Sequence, residues 1–169
     1  MSIRKRKMIF NPLPIGAFRV TQSFGENPIY YKKYGLKFHN GTDFAPITPG
    51  KKGVVIYAPH EGYIQTFDQG NIGYGRFVQI VSFPYQKNRA RKSELAHMEK
   101  FLVVNGQFIS AGEPLGIMGT TGDSTGIHTH WTYKIVDAEG KTLNKDNGVN
   151  GAIDIAKYVQ LWELGKHLK

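Results

Sequence analysis

His128-Thr129-His130-Trp131-Thr132-Tyr133-Lys134-Ile135 is rich in Thr, Trp, Tyr and Ile, residue types that favour a pleated strand. Side chains alternate faces along a strand, so His128, His130 and Thr132 point one way. Thr129, Trp131, Tyr133 and Ile135 point the other way, towards a core. A histidine pair so placed can offer two imidazoles to one metal, or one to the metal and one beside it. Taken alone, the pattern equally fits the polar face of an ordinary strand.

Outward from this strand the chain is built of short apolar runs between Gly, Pro, Asn and Asp turns. Gly53-Val54-Val55-Ile56-Tyr57-Ala58, Gly62-Tyr63-Ile64-Gln65-Thr66-Phe67 and Arg76-Phe77-Val78-Gln79-Ile80-Val81 are examples. Many short strands at this spacing predict a mainly β fold, with antiparallel sheets forming a sandwich or open barrel with long loops. Residues 1–15, with Pro12 and Pro14, read as an irregular basic arm, and residues 16–169 as a single domain. At the C-terminus, apolar residues at 155, 158, 159 and 162 behind Asp154 predict a short helix over about 154–165. Gly165 would end it, with Lys166 and His167 suiting its dipole.

Three further segments carry chemistry. Phe38-His39-Asn40-Gly41-Thr42-Asp43-Phe44-Ala45-Pro46 reads as a turn entering a short strand, because Gly41 and Pro46 oppose a helix. Leu95-Ala96-His97-Met98 follows a basic stretch, Lys87-Asn88-Arg89-Ala90-Arg91-Lys92, expected to be a solvated loop. Ile117-Met118-Gly119-Thr120-Thr121-Gly122-Asp123-Ser124-Thr125-Gly126-Ile127 is a Gly- and Ser/Thr-rich turn running into His128. Histidines plus a carboxylate are the usual ligands of catalytic zinc, with a fourth position left for water. His60, in a turn, and His167 lie outside this set.

In this order, and together with Arg19 to Gly25, Ile56 to Ile64, Gly73 to Ile80 and Gly106 to His130, the segments resemble the lysostaphin/LytM-type zinc endopeptidases, which cut peptidoglycan peptides. The resemblance spans roughly two thirds of the chain. Leu95 stands where the family often has an aromatic residue, and Met98 where it commonly has Leu. The resemblance implies one Zn2+ per chain held by His39, Asp43 and His130, with His97 and His128 acting on the nucleophilic water. It also implies a compact β core and bacterial peptidoglycan as the substrate partner. Tyr74, in the Gly73-Tyr74-Gly75 turn, is a candidate for lining the substrate groove or for simple turn packing. The alternative reading is a non-catalytic wall-binding or virion module of the same fold; retention of all five site positions argues against it.

Composition narrows the classes further. The 169 residues include no cysteine, which excludes disulfides, thiolate metal sites and a thiol nucleophile. No apolar run approaches a membrane span. The basic N-terminal residues are followed by no signal-peptide core. A wall enzyme of this kind would reach its substrate by lysis, on a virion (as a phage-encoded endolysin would), or after removal of a leader. The formal net charge of +9 suits a polyanionic partner. No nucleic-acid-binding signature accompanies it, so cell wall is expected and nucleic acid is not.

Overall fold

The computed structural model describes residues 8–165. In chain order the strands are β1 (Ile9–Phe10), β2 (Phe18–Gln22), β3 (Thr42–Pro46), β4 (Val55–Tyr57), β5 (Gly62–Asp68), β6 (Arg76–Val81), β7 (Ala90–Leu95), β8 (Met98–Phe101), β9 (Phe108–Ile109), β10 (Pro114–Met118), β11 (Thr129–Val136) and β12 (Val159–Gln160). One short helix, α1 (Pro28–Tyr31), starts at a proline, whose fixed φ suits a first helical turn. It runs into a 3-10 turn over Lys32–Tyr34.

Seven strands form one antiparallel sheet in the order β2-β3-β11-β7-β6-β5-β9, with β2 and β9 as its edges, so the sheet does not close into a barrel. A second antiparallel sheet has the order β4-β10-β8. Ile64, Val78, Ile80, Leu95 and Trp131 from the large sheet join Ile56, Met98, Leu115 and Met118 from the small one in a single apolar cluster. Burying such side chains contributes roughly 1.5–3 kcal/mol each before the entropy cost of ordering them. The alternation expected of β11 holds: Trp131 and Tyr133 enter this core, and His130 and Thr132 occupy the opposite row. His128 stands just before β11, in a bridge with Gly119.

Three expectations are corrected. The helix over about 154–165 does not form. Asp154 Oδ1 does accept the Ala156 N–H at 3.0 Å, but this bond organises only a 3-10 turn, Ala156–Tyr158. The chain then extends into β12, which pairs in parallel with β1. The Ile15 N–H bonds to the Trp162 carbonyl, and Trp162 Nε1 donates to the Asn11 carbonyl at 2.7 Å. A helix would have hidden Tyr158 with Ile155 and Trp162; here Tyr158 is 64% exposed and the other two are buried. Backbone pairing with a segment some 150 residues away has overridden a four-residue stripe. Lys166 and His167 lie outside the described residues.

The second correction concerns the arm. Residues 1–7 lie outside the described residues, but Ile9 to Pro14 are buried, and Leu13 belongs to the central cluster. This short segment is therefore part of the domain. The third concerns the basic loop. Only Gln86 to Arg89 turn, and Ala90 already begins β7. Arg91 is buried with its guanidinium over the Tyr85 ring, and Lys92 reaches Glu94. Aromatic and acidic neighbours let these cations enter a sheet that charge alone would keep them from.

Candidate active site

The register of two strands brings the first pair of site residues together. Asp43 of β3 lies directly opposite His130 of β11. His130 Nδ1 is 2.8 Å from Asp43 Oδ1. His39, in the turn before β3, brings its Nε2 to 2.9 Å from His130 Nδ1 and 3.2 Å from Asp43 Oδ1. Gly41 allows this turn to press against β11. A Cβ there would stand 2.5 Å from the Trp131 carbonyl oxygen and 2.7 Å from His130 Cε1. All three converging residues are buried.

The proton positions decide what the trio can hold. The Ser23 carbonyl, 3.0 Å from His39 Nδ1, can only accept, so the His39 proton sits on Nδ1 and Nε2 presents a lone pair. Burial disfavours ionisation of Asp43, but its contacts with His130 and His39 outweigh it and hold the carboxyl well below the usual carboxylate range. Burial, opposed by Asp43, pulls His130 below the ordinary histidine range, which favours the neutral ring. With its proton on Nε2, towards Thr132 Oγ1 at 2.8 Å, three lone pairs converge on one point. A cation satisfies all of them. Their separations approach the ~3.3 Å that bonds of about 2.0–2.1 Å at tetrahedral angles require. His39, Asp43 and His130 are the group able to hold a metal ion among the described residues.

His97 and His128 stand beside this trio. Their ring centroids are 4.7 Å apart, and His97 lies 6.3 Å from His130. His128 Nε2 is 3.8 Å from Asp43 Oδ2. Each donates Nδ1–H to a carbonyl: His97 to Thr121 at 2.7 Å, His128 to Gly126 at 2.8 Å. In the neutral form of either ring the unprotonated nitrogen is then Nε2. Burial, followed by the neighbouring His128 and His130, pushes His97 down to about 4, so it is neutral at physiological pH. His97 has φ 63°, a left-handed conformation held by its N–H bond to the Tyr74 carbonyl.

The five residues and Tyr74 meet at one cleft of about 460 Å³; His39 is sealed behind its wall and the others line it. Tyr74 thus lines the cleft with its ring. Its hydroxyl, 3.1 Å from Asn40 Nδ2 and 3.0 Å from Thr132 Oγ1, is engaged inside the protein. The sequence reading missed the Tyr31 ring, stacked on His39 at 5.0 Å, and the wall formed with Tyr30 and Tyr34. The only signal for that wall was the run of tyrosines at 30, 31 and 34, which fold into α1 and the 3-10 turn after it. It also missed Thr121, whose carbonyl holds His97 and whose hydroxyl joins Arg76 N to the Met98 carbonyl. Ser23 acts through its backbone, which residue identity does not reveal.

Fold and site together set a buried His-Asp-His group able to hold a metal ion beside two further histidines at one cleft. Residues 37–145 match Peptidase family M23, and the chain belongs to that family. It is 29% identical over 126 residues to an uncharacterized metalloprotease of Haemophilus influenzae, covering 75% of this chain and 24% of that protein. It is 28% identical over 141 residues to the peptidoglycan DD-endopeptidase ShyA of Vibrio cholerae, covering 80% and 29%. The chain thus spans less than a third of these curated relatives. Among solved structures, a mutant catalytic domain of the prophage-encoded M23 protein EnpA from Enterococcus faecalis aligns with a TM-score of 0.58 and 28% identity, covering 82% of this chain and 96% of that one. Lysostaphin from Staphylococcus simulans aligns with a TM-score of 0.61 at 20% identity, covering 85% and 50%, a likeness of fold.

Proposed function

We propose that this chain is a zinc-dependent endopeptidase that cleaves stem or cross-bridge peptides of bacterial peptidoglycan and acts at the wall itself. The observation that carries the reading is the convergence of His39, Asp43 and His130 in an M23 chain, with His97 and His128 beside them. Bound by these three residues, zinc would supply Lewis acidity, making water nucleophilic near neutral pH and polarising a carbonyl. His97 and His128 turn Nε2 towards the cleft: one would take a proton from the nucleophile and return it to the leaving amine, and the other, in its protonated form, would stabilise the oxyanion. The Tyr30–Tyr31–Tyr34 wall offers aromatic surface to a peptide on one side of the cleft. The net charge of +9 favours approach to an anionic wall. The test is elemental analysis with a chelator: the purified protein should carry about one zinc, lose wall hydrolysis when stripped, and regain it on zinc addition. Full hydrolysis by metal-free protein overturns the reading.

A further inference from the structure

Tyr74 meets the His39 turn, β11 and the His97 segment at once. Its hydroxyl accepts Nδ2–H from Asn40, the residue after His39, at 3.1 Å. Asn40 Nδ2 can only donate, so the phenol proton is free for Thr132 Oγ1 at 3.0 Å. Thr132 in turn meets His130 Nε2 at 2.8 Å and is fully buried. The Tyr74 carbonyl accepts the His97 N–H at 3.0 Å. The ring stands 5.1 Å from that of His130 and 6.4 Å from that of His97.

The turn that carries Tyr74 is fixed from behind. Gly73 and Gly75 have φ 54° and 60°, and Gly122 has φ 73°. A Cβ on Gly75 would stand 2.4 Å from the Thr121 carbonyl carbon, and one on Gly122 2.4 Å from the Gly73 carbonyl oxygen. Backbone lies directly on backbone here, and the Asp123 N–H bonds to the Gly73 carbonyl at 2.8 Å. The phenol therefore projects from a rigid base.

We propose that Tyr74 is a positioning residue for the metal centre: one hydroxyl ties the His39 turn to β11 and, through Thr132, sets the orientation in which His130 presents Nδ1. The proposal rests on the metal reading above. It differs from a substrate-contacting role because the hydroxyl's bonds to Asn40 and Thr132 are internal. Partners in this outer layer orient ligand imidazoles, and their loss typically costs 10–100-fold in metal affinity or activity.

The test measures zinc affinity by competition with a chromophoric chelator, alongside kcat and KM, in Tyr74→Phe. This variant keeps the ring and removes only the hydroxyl. The expected result is zinc affinity lowered about 10–100-fold and kcat reduced with KM little changed. The cobalt(II)-substituted variant should also show an altered absorption spectrum. Thr132→Val should reproduce these losses and Thr132→Ser should restore them, and Tyr74→Phe with Thr132→Val should fall well short of additivity. Should Tyr74→Phe fail to fold, the Val and Ser pair at 132 decides by the same readouts. Wild-type zinc affinity in Tyr74→Phe, with only KM raised, overturns the inference and makes Tyr74 a substrate contact. A wild-type protein that takes up no zinc overturns the metal reading first and this inference with it.

Discussion

At the scale of single residues, the proposed mechanism separates side chains placed to hold a metal ion from side chains placed to act beside it. His39, Asp43 and His130 bring one atom each to a shared point, whereas His97 and His128 face the same cleft from carbonyl-anchored rings. His97→Ala and His128→Ala should each keep bound zinc and lose turnover by about a hundredfold or more. His130→Ala should lose metal and turnover together. Because His97 and His128 act as a unit, the double variant should be little worse than either single one. Metal analysis beside initial rates checks all four variants; release of zinc from His128→Ala with retention in His130→Ala would reverse the roles within the pair. These positions were legible in the sequence as a set, through the order and spacing of their segments in the family resemblance, since the histidine pair alone fits an ordinary strand face. What holds them was not. The Ser23 carbonyl behind His39 and the Thr121 carbonyl behind His97 are backbone groups, and the Tyr31–His39 stack depends on where α1 comes to lie against the turn before β3.

Secondary-structure elements show the same division between local and distant causes. Strands β5, β6 and β11 follow from alternation and β-branched or aromatic residues, which need only nearby sequence to read. The tail does not, since β12 exists because β1 is there to receive it. Trp162 anchors that union, with its ring 5.0 Å from Tyr57 and its indole N–H on the Asn11 carbonyl. Trp162→Ala should destabilise the domain by about 3 kcal/mol, read as a lower urea midpoint, while zinc content per folded molecule stays unchanged. A variant as stable as the wild type would mean that the tail contributes nothing to the fold. The Gly75 and Gly122 turns carry the opposite expectation. Gly122→Ala meets both a left-handed φ and the Gly73 carbonyl, so about 1–3 kcal/mol of stability and most of the turnover should go together, through the displaced His97 anchor. Urea unfolding paired with rate measurement checks this, and unchanged values for both would contradict it.

Across the whole molecule, one large sheet shows its apolar row to the small sheet and, at its β3–β11 end, its polar row to the cleft. His60 lies on neither chemical surface. It is buried, its Nδ1 donating to the Glu61 carbonyl at 2.8 Å and its Nε2 2.9 Å from Ser93 Oγ, which also accepts Trp131 Nε1–H. Burial, opposed by the Glu61 carbonyl and reinforced by Arg91, pushes its pKa down to about 4 from 6.5. The sign follows: above pH 6.5 both folded and unfolded forms are neutral and the contribution is whole. As the pH falls towards 4, the unfolded chain takes the proton first and stability drains, by about 3 kcal/mol. His60→Gln should lose correspondingly less stability than the wild type between pH 6.5 and 4 in urea titrations. Parallel pH curves would contradict this. Among the described residues no helix is long and apolar enough to cross a membrane.

The activity proposed for this protein is hydrolysis of peptide bonds in the wall. The most direct measurement is mass spectrometry of fragments released from purified peptidoglycan by the wild-type protein and by Asp43→Ala. The wild type should release muropeptides bearing new amino and carboxyl termini with intact glycan linkages, and Asp43→Ala should release none. Fragments arising from cleaved sugars, or equal release by Asp43→Ala, would contradict it.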